Sequence, residues 1–193
     1  MLSVDGSYGE GGGQILRTAL SLAALTGAPV RIERIRARRS KPGLRPQHLT
    51  AVQALARVSQ AEVTGLHLGS QDLTFRPRRP QGGHYLFDVA SMTGSAGAVT
   101  LVAQALLPSL RQAEAPATVI LKGGTHVPWS PPAHYLSHVF LPALAQGPSR
   151  FTTEAITSHL LTNVWVIEQF LGPTFEIKGG LGERGEISCP GQR

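Results

Sequence analysis

The stretch Asp5-Gly6-Ser7-Tyr8-Gly9-Glu10-Gly11-Gly12-Gly13-Gln14-Ile15-Leu16-Arg17 turns a strand into a helix through a run of glycines. Before it, Leu2–Asp5 has the length and character of a short strand. After it, Gln14–Leu25 puts Ile15, Leu16, Ala19, Leu20, Leu22 and Ala23 on a wide apolar face, and Gly27 supplies a stop. At such a junction, backbone N–H groups and a helix N-terminus can cradle an anion. The run is not a Walker loop, since no Gly-Lys-Ser/Thr follows, and Gln14 at the third glycine position excludes a dinucleotide fingerprint. Glu10 can hold a divalent metal beside a triphosphate, and Arg17, about one turn into the helix, can reach the same anion. The plainer alternative is a tight turn with a solvated glutamate and a surface arginine.

Working outward, Pro29–Ile35 alternates as a half-buried strand does, with Val30, Ile32 and Ile35 inward. Arg36–Pro46 reads as a basic loop and His48–Val58 as a helix. Short strands follow at Glu62–Leu66, Asp72–Phe75 and Tyr85–Val89, then an apolar helix Gly94–Leu110 and a strand Thr118–Lys122. The Pro-rich turn Pro128–Pro132 opens a helix to Ala145; Ser158–Leu171 is the last helix, and Thr174–Lys178 and Glu186–Ser188 are closing strands. Helices alternating with strands, some of them consecutive, predict an α/β (α+β layered) fold with mixed sheets. A Gly/Ser-rich turn precedes an apolar helix near Gly11, Gly94 and Ser158, which hints at repeated βα units.

Composition narrows the class. With 193 residues, 41% hydrophobic and 16% charged, the chain has enough apolar material for a core and too little charge for disorder. The apolar stretch Ala96–Leu110 contains Thr100, Gln104 and Pro108 and falls short of a membrane span. Asp5 and Glu10 interrupt the N-terminus before any signal-like apolar run, and the single Cys189 forms no internal disulfide. The expectation is a soluble, cytoplasmic protein. The net charge of +6 is concentrated: Arg31, Arg34, Arg36, Arg38, Arg39, Lys41, Arg45 and Arg57 face only Glu33 between Arg31 and Arg57. Five of these cations lie within Arg36–Arg45, where Arg forks on a Pro/Gly loop suit phosphate oxygens of RNA or of a nucleotide equally. A solvated loop with excess charge is the alternative.

His159, in Ser158-His159-Leu160-Leu161-Thr162-Asn163, opens the last helix. A neutral imidazole can attack phosphorus and form a phosphoramidate, although a histidine at a helix start is more often structural. No Ser/His/Asp set is recognisable, and the other six histidines lack zinc-binding spacing.

These residues together resemble the RNA 3'-terminal-phosphate cyclase family. Asp5–Arg17 is similar to its opening signature; Ile35-Arg36-Ala37, Lys41-Pro42-Gly43-Leu44 and Gln47-His48-Leu49-Thr50-Ala51 to its second; Gly123-Gly124-Thr125 with Pro131-Pro132-Ala133 to a third. The block His159–Asn163 resembles the one that carries the family's nucleophile. The resemblance implies a cyclase / enolpyruvyl-transferase-like large domain and an ATP-dependent ligase acting on RNA 3'-phosphate ends, with Mg or Mn as the divalent metal. His159 would form a covalent histidyl-AMP, the AMP would pass to the RNA 3'-phosphate to give RNA-ppA, and the 2'-OH would close the 2',3'-cyclic phosphate. It further implies nucleotide contacts at Glu10, Gly11, Gly12, Gly13, Arg17, Gln104 and Pro131, a metal at Glu10, and RNA phosphate contacts at Arg36, Arg39 and Gln47. The family's adenine-stacking aromatic has no evident counterpart, Tyr135 being the candidate substitute. His138–Leu144 aligns either with the family's helix after the Pro-Pro-Ala motif or with the helix just before the nucleophile, and in the second alignment Ser137 and His138 fall where the family has a nucleotide-contacting Asp-Gln pair.

Family members are close to twice this length. The expected organisation is residues 1–145 as N-terminal βα repeats and 146–193 as a C-terminal segment carrying the nucleophile, together one compact domain. By the resemblance, the inserted small domain and the middle βα repeat are missing, with the join near Val139–Gln146, either through an internal deletion or because the sequence omits part of a longer product. Losing a repeat exposes sheet and helix surface, part of which a homodimer would cover. The rival functions are a non-catalytic RNA-binding relative, an inactive shortened remnant and, more distantly, an enolpyruvyl-transferase-like enzyme.

Overall fold

The computed structural model describes residues 1–89, 97–140, 149–153 and 155–189. Its first half is a four-stranded sheet of order β1-β2-β4-β3, built from β1 (Leu2–Asp5), β2 (Val30–Glu33), β3 (Glu62–Thr64) and β4 (Leu73–Arg76). Helix α1 (Gly13–Thr26) makes the crossover between the parallel strands β1 and β2, and α2 (Pro46–Ser59) leads to the antiparallel hairpin β3–β4. The alternation foreseen for β2 is realised: Val30 and Ile32 are buried while Arg31 is exposed. They meet Val4, Leu73 and Phe75 of the sheet, Leu16, Ala19, Leu20 and Ala23 of α1, and Val52, Leu55 and Val58 of α2 in one apolar core. Gly27 ends α1 in the left-handed conformation, as a C-terminal glycine does.

Strand β2 ends two residues before its expected limit at Ile35. Arg34 and Arg36 take positive φ values of 53° and 54°, which break the pleat and fold the basic loop back on itself. Helix α2 begins two residues earlier than periodicity indicated, because Pro46, which has no N–H to lose, occupies its first turn.

A second parallel pair, β5 (Gly83–Asp88) and β6 (Ala117–Lys122), flanks α3 (Val99–Leu110). The expected start of this helix at Gly94 falls outside the described residues; Gly97 and Ala98 are not helical, since Ala98 bridges Gly124. The Gly124 N–H donates to Gly97 O at 2.8 Å, and the Val99 N–H to Gly124 O at 3.1 Å, tying the start of α3 to the end of β6. The helix foreseen after the Pro-rich turn begins as an α-helical turn at Ala133–Tyr135 and runs into a π-helical turn at Leu136–Phe140; the rest of its expected length lies outside the described residues.

The third sheet has order β7-β9-β8, from β7 (Ser149–Thr153), β8 (Glu176–Lys178) and β9 (Gly185–Cys189). Helix α4 (Ser158–Leu171), with the bounds its periodicity indicated, connects β7 to β8. The recurrence hinted at in the sequence becomes topological. β5-α3-β6 repeats the parallel unit β1-α1-β2, and β7-α4-β8-β9 repeats the strand–helix–hairpin β2-α2-β3-β4, including the order first-last-middle and the antiparallel pairing. The first sheet holds a whole repeat, while the second and third hold complementary halves. Helix α1 lies at the centre and packs against α2, α3 and α4. Among the described residues no helix is long and apolar enough to cross a membrane. The mixed α/β fold foreseen from the sequence is the fold observed.

Candidate active site

The glycine run leaves β1 through two successive turns, with Tyr8 N–H on Asp5 O at 3.2 Å and Gly11 N–H on Tyr8 O at 2.9 Å. Asp5 is a shaping residue: its carboxylate accepts from Ser7 N at 2.9 Å, Ser7 Oγ at 2.8 Å and Arg34 Nη2 at 2.6 Å. Burial alone would raise its pKa, but the Ser7 bonds and the Arg34 charge hold it below the ordinary value. Two glycines are required by close approach. A Cβ on Gly9, at φ +54°, would strike Thr162 Oγ1 of α4, and one on Gly13 would strike His48 Nε2 of α2. Their absence lets both helices close on the run. Tyr8 completes the docking by stacking on Trp165 of α4, ring centroids 4.0 Å apart.

This docking brings Glu10 and His159 together. The Glu10 carboxylate accepts from His159 Nδ1 at 3.0 Å and from Ser158 Oγ at 3.1 Å, and Arg39 Nη2 stands 3.9 Å away. The His159 hydrogen bond, with Ser158 and Arg39 behind it, outweighs burial and lowers the Glu10 pKa, so the group is an ionised acceptor at neutral pH. An acceptor opposite Nδ1 requires the proton on Nδ1 and leaves the Nε2 lone pair free. Thr157 caps the helix by accepting from Leu160 N at 3.2 Å, and Thr18 Oγ1 donates to Asn163 Oδ1 at 2.8 Å, fixing α4 against α1. The His159 side chain itself remains largely exposed.

His159 borders a cleft of about 550 Å³ between α1, α3 and α4. Arg17, Leu101, Gln104, Trp129 and Pro131 also line it, so four residues chosen from sequence — His159, Arg17, Gln104 and Pro131 — share one cavity. Burial lowers the Arg17 pKa to about 10, still a cation at neutral pH, and no described residue pairs with its guanidinium. Gly12 starts α1 without a side-chain cap, and the first turn carries no acidic residue. Trp129 was not anticipated. It is fully exposed, held at φ +64° in the Pro-rich turn, with Ser130 Oγ donating to Val127 O at 2.7 Å. Tyr135, expected to be the aromatic of the nucleotide pocket, does not line the cleft, nor do Ser137 and His138.

The basic loop divides. Arg36, expected at phosphate, turns its guanidinium inward: Nη1 donates to Lys41 O at 2.6 Å and Gly43 O at 3.1 Å. Burial, then repulsion from Arg39 and Arg45, lowers its pKa. Arg39 reaches Glu10 and lies beside Gly12. Gln47 is exposed in the first turn of α2 and does not line the cleft. His48, not singled out from sequence as a site residue, is buried against Gly13 and accepts from Arg45 N at Nδ1, 3.0 Å. Burial first, then Arg17, Arg36 and Arg45, push its pKa down to about 3, so it is neutral at every ordinary pH.

Among the described residues no three His, Cys, Asp or Glu side chains converge on a metal site. Among the described residues the cleft lining itself holds no Asp or Glu, and the carboxylate next to it is Glu10, through its contact with His159. That donor set fits a hard cation held mainly by phosphate oxygens with one protein carboxylate, and does not fit an all-protein cage.

A glycine-led helix N-terminus, an arginine without an ion-pair partner among the described residues and a histidine held by a carboxylate come together beside one cleft. The family model for RNA 3'-terminal phosphate cyclase matches residues 8–146, and the chain belongs to that family. Proteins named RNA 3'-terminal phosphate cyclase are similar to it. That of Methylococcus capsulatus is 61% identical over 149 residues, covering 76% of this chain and 41% of the relative. That of Gloeothece citriformis is 59% identical over 149 residues, covering 76% and 43%. That of Desulfurococcus amylolyticus is 46% identical over 188 residues, covering 93% and 52%. The chain spans about half the length of the curated relatives it matches.

Proposed function

We propose that this chain performs the chemistry of an RNA 3'-terminal phosphate cyclase, converting an RNA 3'-phosphate to a 2',3'-cyclic phosphate at the expense of ATP. The observation that carries the reading is the Glu10 carboxylate 3.0 Å from His159 Nδ1 at a cleft that also contains Arg17. Nε2 of His159 attacks the α-phosphorus, the bond from that phosphorus to the bridging oxygen breaks, and pyrophosphate leaves with the electron pair. Glu10 holds the Nδ1 proton and stabilises the positive charge that develops on the ring. Arg17 and the uncapped first turn of α1 supply positive potential to the phosphates. A divalent cation, Mg or Mn, when bound, would neutralise triphosphate charge, with Glu10 as its one carboxylate. An oxygen of the RNA 3'-phosphate then takes AMP from His159, giving RNA-ppA. The neighbouring 2'-OH attacks the activated phosphorus and AMP departs, a ring closure favoured by proximity. In this reading Gln104, Pro131 and Trp129 surround the base, while Arg39 and Gln47 face the RNA phosphate and Arg36 supports them from within the loop.

The test is incubation with α-labelled ATP and magnesium or manganese, followed by denaturing electrophoresis. An acid-labile, alkali-stable adduct that disappears in His159→Ala is the expected result; an adduct retained in that variant overturns the nucleophile assignment.

One observation favours a second reading, in which the chain is an inactive remnant that does not turn over: the second and third sheets each hold only half of the repeat seen in the first. A cyclisation assay on an RNA 3'-phosphate separates the two. The proposal extends to residues 1–145 and 146–193 acting as one compact domain, a cytoplasmic setting and a homodimer, the last checked by size-exclusion chromatography with light scattering.

A further inference from the structure

The basic loop carries more positive charge than the catalytic cleft uses. No Asp or Glu occurs from Arg34 to Ala61. The nearby carboxylates are already engaged: Asp5 by Arg34, Glu33 by Arg31 and Glu10 by His159. Arg36 contributes its guanidinium to the loop's own carbonyls, and Arg39 leans on Glu10. That leaves Arg38, Lys41 and Arg45. Arg38 and Lys41 are exposed and Arg45 half-buried, and among the described residues none of the three forms an ion pair, although the Asp5 charge is felt by Arg38.

The loop presenting them is well defined. Arg39 N–H donates to Arg36 O at 3.0 Å, Gly43 N–H to Ile35 O at 2.9 Å and Leu44 N–H to Ser70 O at 2.9 Å. Gly43, at φ +73°, lies so close to the Gly69 carbonyl that no side chain fits there. The Arg36 guanidinium bridges Lys41 O and Gly43 O from inside. Internal ties of this kind hold cations at set spacing, which lowers the ordering penalty when a polyanion binds. The track also has a direction. Through Arg39 it abuts Glu10, and through Glu10 it reaches His159, while Gln47 extends it along the first turn of α2. A mononucleotide in the cleft does not need cations strung along a loop; a single strand whose end lies at His159 does. Aromatic side chains are lacking between Arg31 and Arg57, which points to backbone contact and not to base stacking.

The geometry points to a track for the RNA strand leading to the reacting 3' end, its phosphates lying on Arg38, Lys41 and Arg45 while Arg36 braces the loop. This rests on the reading that the cleft performs nucleotidyl transfer to RNA. Binding along the track is sequence-independent, and it strengthens with strand length.

The experiment is fluorescence anisotropy with a 5'-labelled single-stranded ten-nucleotide RNA bearing a 3'-phosphate, and with the corresponding dinucleotide, each from 50 to 200 mM salt. The wild-type chain binds the longer RNA more tightly. In the variant Arg38→Ala/Lys41→Ala/Arg45→Ala the slope of log K against log salt becomes shallower by about 2, at about 0.7 per neutralised cation, and the advantage of length is lost. Lys41→Glu alone, at an exposed position, weakens binding of the ten-nucleotide RNA more than of the dinucleotide, and thermal melting verifies that each variant is folded. An unchanged slope and length dependence in the folded triple variant overturn the track, as does salt-independent or absent RNA binding by the wild type. Adenylate labelling of the wild type needs no RNA, so its outcome judges the nucleotidyl-transfer reading separately.

Discussion

Glu10 and His159 stand 149 positions apart in sequence, yet the carboxylate of one lies 3.0 Å from Nδ1 of the other. Their meeting depends on the glycine run being thin enough for α4 to rest on it, with Gly9 under Thr162 and Tyr8 stacked on Trp165. The carboxylate orients the ring and fixes its tautomer. Glu10→Gln is therefore expected to slow adenylate formation at saturating ATP by on the order of 10² to 10⁴-fold, the range found when a histidine loses its orienting or proton-holding partner. Single-turnover labelling measures it. A rate within a factor of about three of wild type would mean that the contact does not serve the chemistry.

His48 gives the pH dependence a definite sign. Its imidazole titrates at about 3 in the folded chain, against an ordinary value of 6.5, so between those values the unfolded chain binds a proton that the folded chain refuses. Stability therefore falls as pH drops below 6.5, and continues to fall towards 3. The substitution His48→Asn keeps an acceptor near Arg45 N without the titration, so its melting temperature should decline less steeply from pH 6.5 to pH 4. Parallel declines for variant and wild type would remove His48 as the source.

What the sequence made legible, and what it did not, divides along the range of the interactions. The bounds of α4 follow its apolar period, and the Thr157 cap and the following Gly172 act within a few residues of its ends, so they are local signals too. The strand–glycine–helix junction was legible for the same reason. β7 was missed because Ser149–Thr153 offers Phe151 as its single large apolar residue, too little for an alternating pattern. The inward turn of Arg36 depends on a positive φ at a non-glycine residue, which composition does not announce. The start of α3 at Val99 is tied to Gly124, more than twenty residues downstream, a long-range contact that no local period announces. Trp129 escaped notice because its meaning lies in what it faces, and no periodicity records a cleft wall assembled from three helices and a turn.

Gly13 tests the packing that makes the site. A methyl group there meets the His48 ring, which is buried. Gly13→Ala is expected to destabilise the fold by about 1–3 kcal/mol, the usual effect of overpacking. His48→Ala added to it should recover part of that loss, so the two changes combine to less than their sum. Denaturant unfolding of the two single variants and the double variant closes the cycle. Strict additivity would show that the helix N-terminus and α2 are not in the contact described.

Trp129 offers the sharpest separation of binding from stability. Fully exposed and held by a turn, it contributes little to the core, so Trp129→Ala should leave the melting temperature nearly unchanged. Trp129 nevertheless lines the cleft together with Pro131, Gln104 and Leu101, so a flat base bound there would have an aromatic side chain to lie against. Stacking of a base on an aromatic ring is worth about 1–3 kcal/mol, so the ATP concentration for half-maximal labelling should rise by roughly 5-fold to 150-fold while the saturating rate is retained. Trp129→Phe keeps a π-face and should restore most of the affinity. Trp165, the other tryptophan, is stacked on Tyr8 away from this turn, so in a Trp165→Phe background the fluorescence of Trp129 alone reports ATP binding. Quenching on ATP addition, together with the shift in half-maximal concentration, is the expected pair of results. An unshifted half-maximal concentration in Trp129→Ala would place the base elsewhere in the cleft, against α4.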